Sequence, residues 1–393
     1  MSAATSTSTP APLAGVRVLD LSRVLAGPWA GQLLADYGAD VIKVERPGEG
    51  DDTRSWGPPF FGPRDERRAA NRGKRSIAID LASADGAAMV RTLAAEADVL
   101  LENYKVGQLA KYGLDAPSLQ AANPRLIYCS VTGYGQDGPY AAAAGYDFAI
   151  QATGGLMSIT GEKEGTPGSE PQKVGVAVSD LFTGIYAVTA ILAALHERER
   201  TGRGRHIDAA LLDTQVAMLA NQASNYFVGG KAPHRMGNAH VNIVPYQVFR
   251  TRDGHIVLAV GNDGQFRRFC QLAGCEALAQ DPRFATNPAR VEHRDELVPL
   301  LAARMFERST AEWTALLEPN AVPCAPILDI GGVFEHAQVQ ARGLRVAQDG
   351  VPMVACPMRL DGQRPQASKP PPRLDEHGDA IRDALARGAR WPD

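Results

Sequence analysis

Several features of the commoner functional classes are missing from the sequence. Its 393 residues carry a formal net charge of −3, so no overall basic field gathers nucleic acid. The few cysteines show neither a CxxC motif nor a Cys/His metal-ligand spacing. We therefore expect no nucleic-acid partner, no bound metal, and reduced thiols in a cytoplasmic protein. The cysteines are Cys129, Cys270, Cys275, Cys324 and Cys356.

Export and membrane signals are missing too. The first twelve residues, MSAATSTSTPAP, have neither a basic region nor an apolar core, so they predict a disordered tail over residues 1–12. No uninterrupted run of about 18 apolar residues occurs, and we expect no membrane span.

The common nucleotide and hydrolase motifs are absent as well. The chain has no GxxxxGK[ST] loop, no GxGxxG after its first predicted strand, no GxSxG and no HExxH. The sequence therefore does not indicate a nicotinamide or flavin cofactor.

The first half of the chain alternates strand and helix patterns. This alternation predicts an α/β fold with a mainly parallel sheet, in which ligands bind beyond the carboxyl ends of the strands. The loops after Leu21, Glu45, Asn103 and Thr132 are thus candidate binding regions. Strands are predicted at 16–21, 41–45, 76–81, 99–103 and 126–132, and helices at 28–37, 84–97 and 180–200.

The pattern changes near residue 227. Residues 245–261 predict a β-hairpin with Asp253-Gly254 at its turn, and helical segments follow. We predict a small domain over 227–320, between a large domain over 13–226 and a return segment over 321–393 that completes it.

Seven segments in order resemble the class III (CaiB/BaiF-type) CoA transferases. The first is VLDLSRVLAGPWAGQLLADYGADVIKVERPGEGD at 18–51, and the fifth, VGVAVSDLFTGIYAVTAILAALHERERTGRGRHIDAALLD, spans 174–213. The others are at 71–81, 97–114, 123–161, 237–247 and 322–327. The chain is most similar to succinyl-CoA:dicarboxylate CoA transferases and also resembles formyl-CoA transferase.

The resemblance implies an architecture and an assembly. It implies a large Rossmann-like domain built from both chain ends, a small central α+β domain and an interlocked homodimer. Coenzyme A, as a thioester substrate and product, and a small carboxylic acid are the implied ligands.

Asp180 has two interpretations. By pattern it is a helix N-cap, a role worth about 0.5–2 kcal/mol. By resemblance its D-x-x-x-G context, with Gly184, matches the family's catalytic nucleophile. The two roles are compatible, because a helix N-terminus favours the ionised carboxylate. The implied chemistry passes through an aspartyl mixed anhydride and an aspartyl-CoA thioester.

The resemblance also implies a set of CoA contacts. Arg46, with Arg72, Lys74 and Arg75 nearby in sequence, suggests contacts to phosphates. The chain departs from the family in having Leu25 where some members have glutamine and Ala82 where a lysine is common. The implied CoA-binding residues are Val24, Leu25, Ala26, Arg46, Arg75, Ile79, Asn103, Tyr104, Lys111 and Tyr134.

Three residues are implied in the acceptor pocket: Tyr146, His240 and Asn242. Related acyl-CoA racemases have a histidine at the position of Tyr146, and tyrosine, with a free pKa of about 10, is a poor base at neutral pH. The sequence thus favours a CoA transferase that uses succinyl-CoA and a dicarboxylate or sulfinate acceptor. A 2-methylacyl-CoA racemase and a non-catalytic CoA-binding protein remain the alternatives.

Overall fold

The computed structural model describes residues 11–57 and 69–392, so residues 1–10 of the predicted tail lie outside the described residues. The strands are β1 (Arg17–Asp20), β2 (Asp40–Glu45), β3 (Lys74–Ala78), β4 (Val99–Glu102), β5 (Ile127–Thr132), β6 (His206–Ala210), β7 (Tyr246–Arg250), β8 (His255–Ala259), β9 (Cys324–Pro326), β10 (Arg345–Gln348) and β11 (Val351–Val354). The helices are α1 (Ala26–Asp36), α2 (Ala84–Glu96), α3 (Ala116–Ala122), α4 (Asp147–Thr153), α5 (Leu156–Ile159), α6 (Val178–Thr201), α7 (Leu211–Ala217), α8 (Ala220–Gly229), α9 (Asp263–Ala273), α10 (Glu276–Gln280), α11 (Asn287–Glu292), α12 (Arg294–Phe306), α13 (Thr310–Leu317), α14 (Ile330–Glu335), α15 (Ala337–Ala341) and α16 (Gly378–Ala386).

Six strands form one parallel sheet in the order β3-β2-β1-β4-β5-β6, which confirms the predicted α/β class. Successive side chains point to opposite faces of a strand. Val18 accordingly packs in a cluster with α1 and α6, whereas Leu19 packs in a cluster with α2, α3 and α16. The strand order reverses between β1 and β4, where ligands of doubly wound sheets bind beyond the carboxyl ends.

The predicted elements match the observed ones except at their ends. The third strand begins at Lys74 instead of residue 76, because its first two residues are charged and resemble a loop. The hairpin prediction is confirmed: β7 and β8 pair in an antiparallel ladder, and the Gly254 N–H donates to Thr251 Oγ1 at the turn.

The described chain divides into two compact units. The first comprises the chain up to Leu156, Val174–Ser224 and the segment from Gln340 onward; the second comprises Met157–Lys173 and Asn225–Val339. Compared with the predicted small domain at 227–320, the second unit also includes Met157–Lys173 and extends to Val339.

The second unit has a three-stranded antiparallel sheet, β7-β8-β9. Its core contains Phe266, Phe269 and Trp313, all with 1% exposure or less. A fully buried arginine, Arg290, donates to two backbone carbonyls and to the Asp263 carboxylate, so its charge is compensated inside this core.

By length and composition, α6 could cross a membrane, which the search for uninterrupted apolar runs did not anticipate. Within the first unit, the apolar side chains of α6 serve core packing. Ala187, Val188 and Ile191 are buried in the cluster that α6 shares with α1. Long core helices commonly have such a composition.

Candidate active site

The loop between β1 and α1, residues 21–25, is held by neighbouring loops at the carboxyl edge of the sheet. Asn103, directly after β4, binds both backbone groups of Arg23: its Oδ1 accepts the N–H at 2.8 Å and its Nδ2 donates to the carbonyl at 2.7 Å. The Val24 N–H donates to Asp51 Oδ1, after β2, at 3.1 Å. Three loops therefore meet at the point where the strand order reverses.

The predicted nucleophile, Asp180, lies in the first turn of α6. The helix begins at Val178 with Ala177 in the capping position, so the expectation that Asp180 is the N-cap is wrong. Asp147 instead caps this turn from α4, since its Oδ1 accepts the N–H of Ser179 at 2.8 Å and that of Asp180 at 3.4 Å. The Asp180 carboxylate is consequently free from the capping role.

Burial raises the pKa of the Asp180 carboxyl to about 7, and the nearby Asp147 carboxylate adds to the rise. The expectation that the helix N-terminus would favour the ionised form is therefore overridden. A helix dipole contributes only about 0.3–1 kcal/mol, whereas removing water from a carboxylate shifts its pKa by several units.

The glycine of the D-x-x-x-G motif, Gly184, lies where α6 packs closely against α1. A Cβ at this position would lie 2.7 Å from the Ala26 carbonyl oxygen and 3.1 Å from Trp29 Cδ1, so α6 approaches α1 through a glycine. Residues four apart lie on the same face of a helix. Asp180 therefore lies on the α1-facing side of α6, one turn before the contact with Ala26.

A cavity of about 240 Å³ lies at the carboxyl edge of the sheet. Three predicted CoA contacts line it: Arg46, Ile79 and Tyr104. Ala82 also lines it, so the wall is apolar at the position where the resemblance implied a lysine. The complete lining consists of Arg23, Lys43, Val44, Glu45, Arg46, Gly50, Asp51, Ile79, Asp80, Leu81, Ala82, Tyr104, Gln108 and Tyr112.

The basic cluster expected to bind phosphates is a set of internal ion pairs, which corrects the prediction for Arg75. Its guanidinium binds the Asp40 carboxylate and the Pro392 carbonyl near the amino-terminal end of the sheet, away from the cavity. Arg72 forms a two-point ion pair with Asp36 at 2.6 and 2.9 Å.

Lys74, the third member of the expected basic cluster, is fully buried and 2.7 Å from Asp20. Burial lowers its pKa to about 8. Charges at the beginning of β3 thus stabilise the interior instead of facing the cavity.

Seven further predicted residues lie outside the cavity lining: Val24, Leu25, Ala26, Asn103, Lys111, Tyr134 and Tyr146. Lys111 is exposed, with its ammonium 4.7 Å above the ring of Tyr112, which does line the cavity. Tyr134 packs 5.5 Å from Tyr140 in the segment after β5. Tyr146 is 72% exposed.

His240 and Asn242 lie in the second unit. His240 Nδ1 accepts the Asn242 N–H at 3.0 Å, and Arg294 donates to the carbonyls of His240 and Val241 at 3.2 and 2.7 Å. The loop is therefore tied to α12, and its part in substrate binding stays a prediction.

Sequence reasoning missed three residues at this site: Arg23, Asp51 and Asp147. The Arg23 guanidinium lies 5.5 Å from the ring centre of Tyr104 and lines the cavity. Its position just after β1 could have revealed it. The roles of Asp51 and Asp147 had no local signal, because both act on backbone groups distant in sequence.

Comparison with known proteins establishes the class. The chain matches CoA-transferase family III over residues 13–378. It therefore belongs to that family and is a class III CoA-transferase.

Individual relatives are similar over almost the whole chain. The succinate–glutarate CoA-transferase of Agrobacterium fabrum is 53% identical, with 93% of this chain and 94% of the relative covered. The human succinyl-CoA:glutarate CoA-transferase is 44% identical, with 93% and 84% covered. The crystal structure of a CAIB/BAIF family protein from Brucella suis is 51% identical, with a TM-score of 0.85 and 96% and 100% coverage.

Substituting Gly184 by alanine tests the helix contact. We expect Gly184→Ala to destabilise the protein by about 1–3 kcal/mol and to reduce turnover more than about tenfold, because the added Cβ pushes α6 away from the loop before α1. Urea unfolding and steady-state assays measure both effects. Gly175→Ala, whose Cβ would meet no atom within 4 Å, is the control and should change stability by less than about 0.5 kcal/mol. Equal effects of the two variants would contradict the contact.

The raised pKa of Asp180 predicts a pH-dependent gain in stability for Asp180→Asn. The folded state retains the proton between about pH 4 and pH 7 while the unfolded state releases it, so wild-type stability falls as pH rises through that window. We expect the variant to match the wild type near pH 4 and to exceed it by up to about 4 kcal/mol at pH 8. Urea unfolding at both pH values measures this, and Asp213→Asn, in the first turn of α7, should show no such gain. A gain independent of pH would be inconsistent with the shift.

Proposed function

We propose that this enzyme transfers CoA from succinyl-CoA to a second dicarboxylate, with Asp180 receiving the acyl group. The observation that carries the proposal is the position of Asp180, half-buried in the first turn of α6 and one turn before the contact of Gly184 with Ala26 of α1. The relatives named for succinate and glutarate support this donor and make glutarate the first acceptor to test.

In the first half-reaction, an Asp180 oxygen attacks the succinyl thioester carbonyl. The C–S bond breaks, CoA leaves as the thiolate, and a succinyl–aspartyl anhydride forms. The thiolate then attacks the aspartyl carbonyl, succinate leaves, and CoA is held as an aspartyl thioester.

The second half-reaction reverses these steps with the acceptor. A glutarate carboxylate attacks the aspartyl thioester, and the CoA thiolate leaves. The thiolate then attacks the glutaryl carbonyl of the new anhydride, releasing glutaryl-CoA and the Asp180 carboxylate. No net proton or hydrolysis is involved, and burial of Asp180 fits a reaction that must exclude water.

Backbone N–H groups at the start of α1 would stabilise the oxyanion formed at each attack. α1 is an eleven-residue helix, and its N-terminal end carries partial positive charge. Its contact with Gly184 places this end one turn of α6 from Asp180.

The cavity would hold part of the CoA molecule. Arg46 is exposed and paired with Glu49, an ion pair that a phosphate can replace at small cost. The Tyr104 ring, with Arg23 beside it, offers a surface for the adenine or the pantetheine chain. Lys111 would contribute from the adjoining loop, and Asn103 would act through the Arg23 backbone that it binds.

The roles of Tyr146, His240 and Asn242 toward the acceptor stay predictions from the resemblance. Arg235 precedes the segment that contains His240 and Asn242 and adds a positive charge suited to a dicarboxylate. The relatives above are named for dicarboxylates, which favours such acceptors over the sulfinate analogues. The racemase alternative has no comparable support, since tyrosine replaces the histidine base at Tyr146.

We also propose a homodimer with interlocked chains. α6 exposes Phe182, Ile185, Tyr186 and Leu192 by 39–47%. Phe148 of α4 and Val216 of α7, helices that contact the first turns of α6, are exposed by 57% and 49%. An apolar surface of this kind supports a partner subunit. The cytoplasmic location stays a prediction.

Trapping the acyl-enzyme tests the chemistry. We expect succinyl-CoA followed by hydroxylamine to convert Asp180 to its hydroxamate, detected by mass spectrometry of the peptide that contains it. Asp180→Asn should give no adduct and lose more than about 10⁴-fold in glutaryl-CoA formation, whereas Asp213→Asn should behave as wild type. Hydrogen exchange at Cα of a 2-methylacyl-CoA in heavy water, without a hydroxamate, would point to a racemase instead.

Light scattering tests the assembly. We expect twice the chain mass, persisting on dilution, because interlocked chains separate only after unfolding. Ile185→Glu should lower the yield of soluble dimer by placing a charge on the apolar surface, whereas Arg200→Glu at the exposed end of α6 should not. A monomer with full transferase activity would refute the dimer.

A further inference from the structure

Val24 has an unusual backbone conformation. Its φ is 70°, in the left-handed region that β-branched residues rarely adopt. Such a conformation persists only where surrounding contacts impose it. It occurs two residues before the first residue of α1, Ala26, whose carbonyl faces Gly184 of α6.

Contacts from three directions impose this conformation. Asn103 holds both backbone groups of the preceding residue, Arg23, and Asp51 accepts the Val24 N–H. Lys43 donates to the Ser22 carbonyl at 2.8 Å. The loop is thus restrained at three successive residues by side chains from β2 and from the loops after β2 and β4.

Asp51 is itself held rigidly. Its Oδ2 lies 3.0 Å from Lys43 Nζ, and neither side chain is exposed. Its Oδ1 also accepts from the Thr53 N–H and hydroxyl at 3.0 and 2.9 Å. Buried ion pairs seldom add net stability over apolar residues of the same volume, so orientation of the loop is the benefit that this pair supplies.

The restrained loop presents unpaired donors. The N–H groups of Leu25, Ala26 and Gly27 donate to no oxygen in the part of the chain that the structure describes, and Pro28 has no N–H. A Cβ on Gly27 would lie 2.3 Å from Ser22 Cβ, so the loop folds tightly against the start of α1.

We propose that Asp51 and Asn103 are positioning residues for CoA transfer. They hold Val24 in the left-handed conformation and thereby aim the N–H groups of Leu25 and Ala26 at the acyl carbonyl that Asp180 attacks. This inference rests on the proposed function. Neither side chain is required to touch the reacting atoms, and both act through the backbone of the loop.

A double-mutant cycle tests the proposal. Glycine adopts the left-handed region without cost, so a loop with glycine at position 24 depends little on its restraints. We expect Asp51→Ala to lower kcat about 10- to 100-fold in the wild-type background, with KM for succinyl-CoA changed less than about threefold. In the Val24→Gly background the same substitution should lower kcat less than about threefold.

Conservative and alternative variants complete the test. Asp51→Asn, which retains the Oδ1 acceptor, should keep more activity than Asp51→Ala. Where Asp51→Ala does not fold because Lys43 is left unpaired, Asn103→Ala, which removes no charge, takes its place in the cycle.

The outcomes separate this inference from the proposed function. Equal fold-losses in both backgrounds would mean that Asp51 and Asn103 have only a general structural role, and would overturn the inference while transfer by the wild type stands. Absence of both transfer and the Asp180 hydroxamate in the wild type would overturn the proposed function, and the inference with it.

Discussion

The close approach of α6 to α1 is the constraint on which the candidate active site depends. It occurs at Gly184, where a side chain would collide with the Ala26 carbonyl. This packing places α6 against the beginning of α1, which follows the loop where the strand order reverses. Ligands of doubly wound sheets bind where the strand order reverses. In this chain, α6 adds the Asp180 carboxylate, which comes from a distant part of the sequence.

Buried charges in the first unit stabilise backbone geometry. Lys74 with Asp20, Arg72 with Asp36, and Lys43 with Asp51 are all internal pairs. Beyond its pair, Lys74 donates to the Pro28 carbonyl in α1. Arg72 and Lys74 were expected near phosphates because they cluster in sequence with Arg75, but all three are paired with carboxylates of the first unit. Lys43 and Asp51, which were not predicted, line the cavity.

The electrostatic state of Asp180 results from two opposing effects. Its place in the first turn of a helix favours the carboxylate, whereas burial and Asp147 favour the protonated form and prevail. The cost of leaving water is larger than the dipole's contribution. A poorly solvated carboxylate is also a better nucleophile toward a thioester. Loss of solvation at Asp180 therefore favours the proposed chemistry.

The amino-acid sequence by itself determined the α/β class, the positions of most elements and the β7–β8 hairpin, because each depends on local periodicity or turn residues. Asp180 as the candidate nucleophile came from the resemblance to a family, since the local pattern alone indicated a helix N-cap. The tertiary structure decided what lies far apart in the chain: the capping of α6 by Asp147, the pairing that removes Arg75 from the cavity, the contribution of Arg23, and the restraint of Val24 by Asp51. These contacts are set by strand order and helix packing, which bring together residues whose separation in sequence carries no local signal.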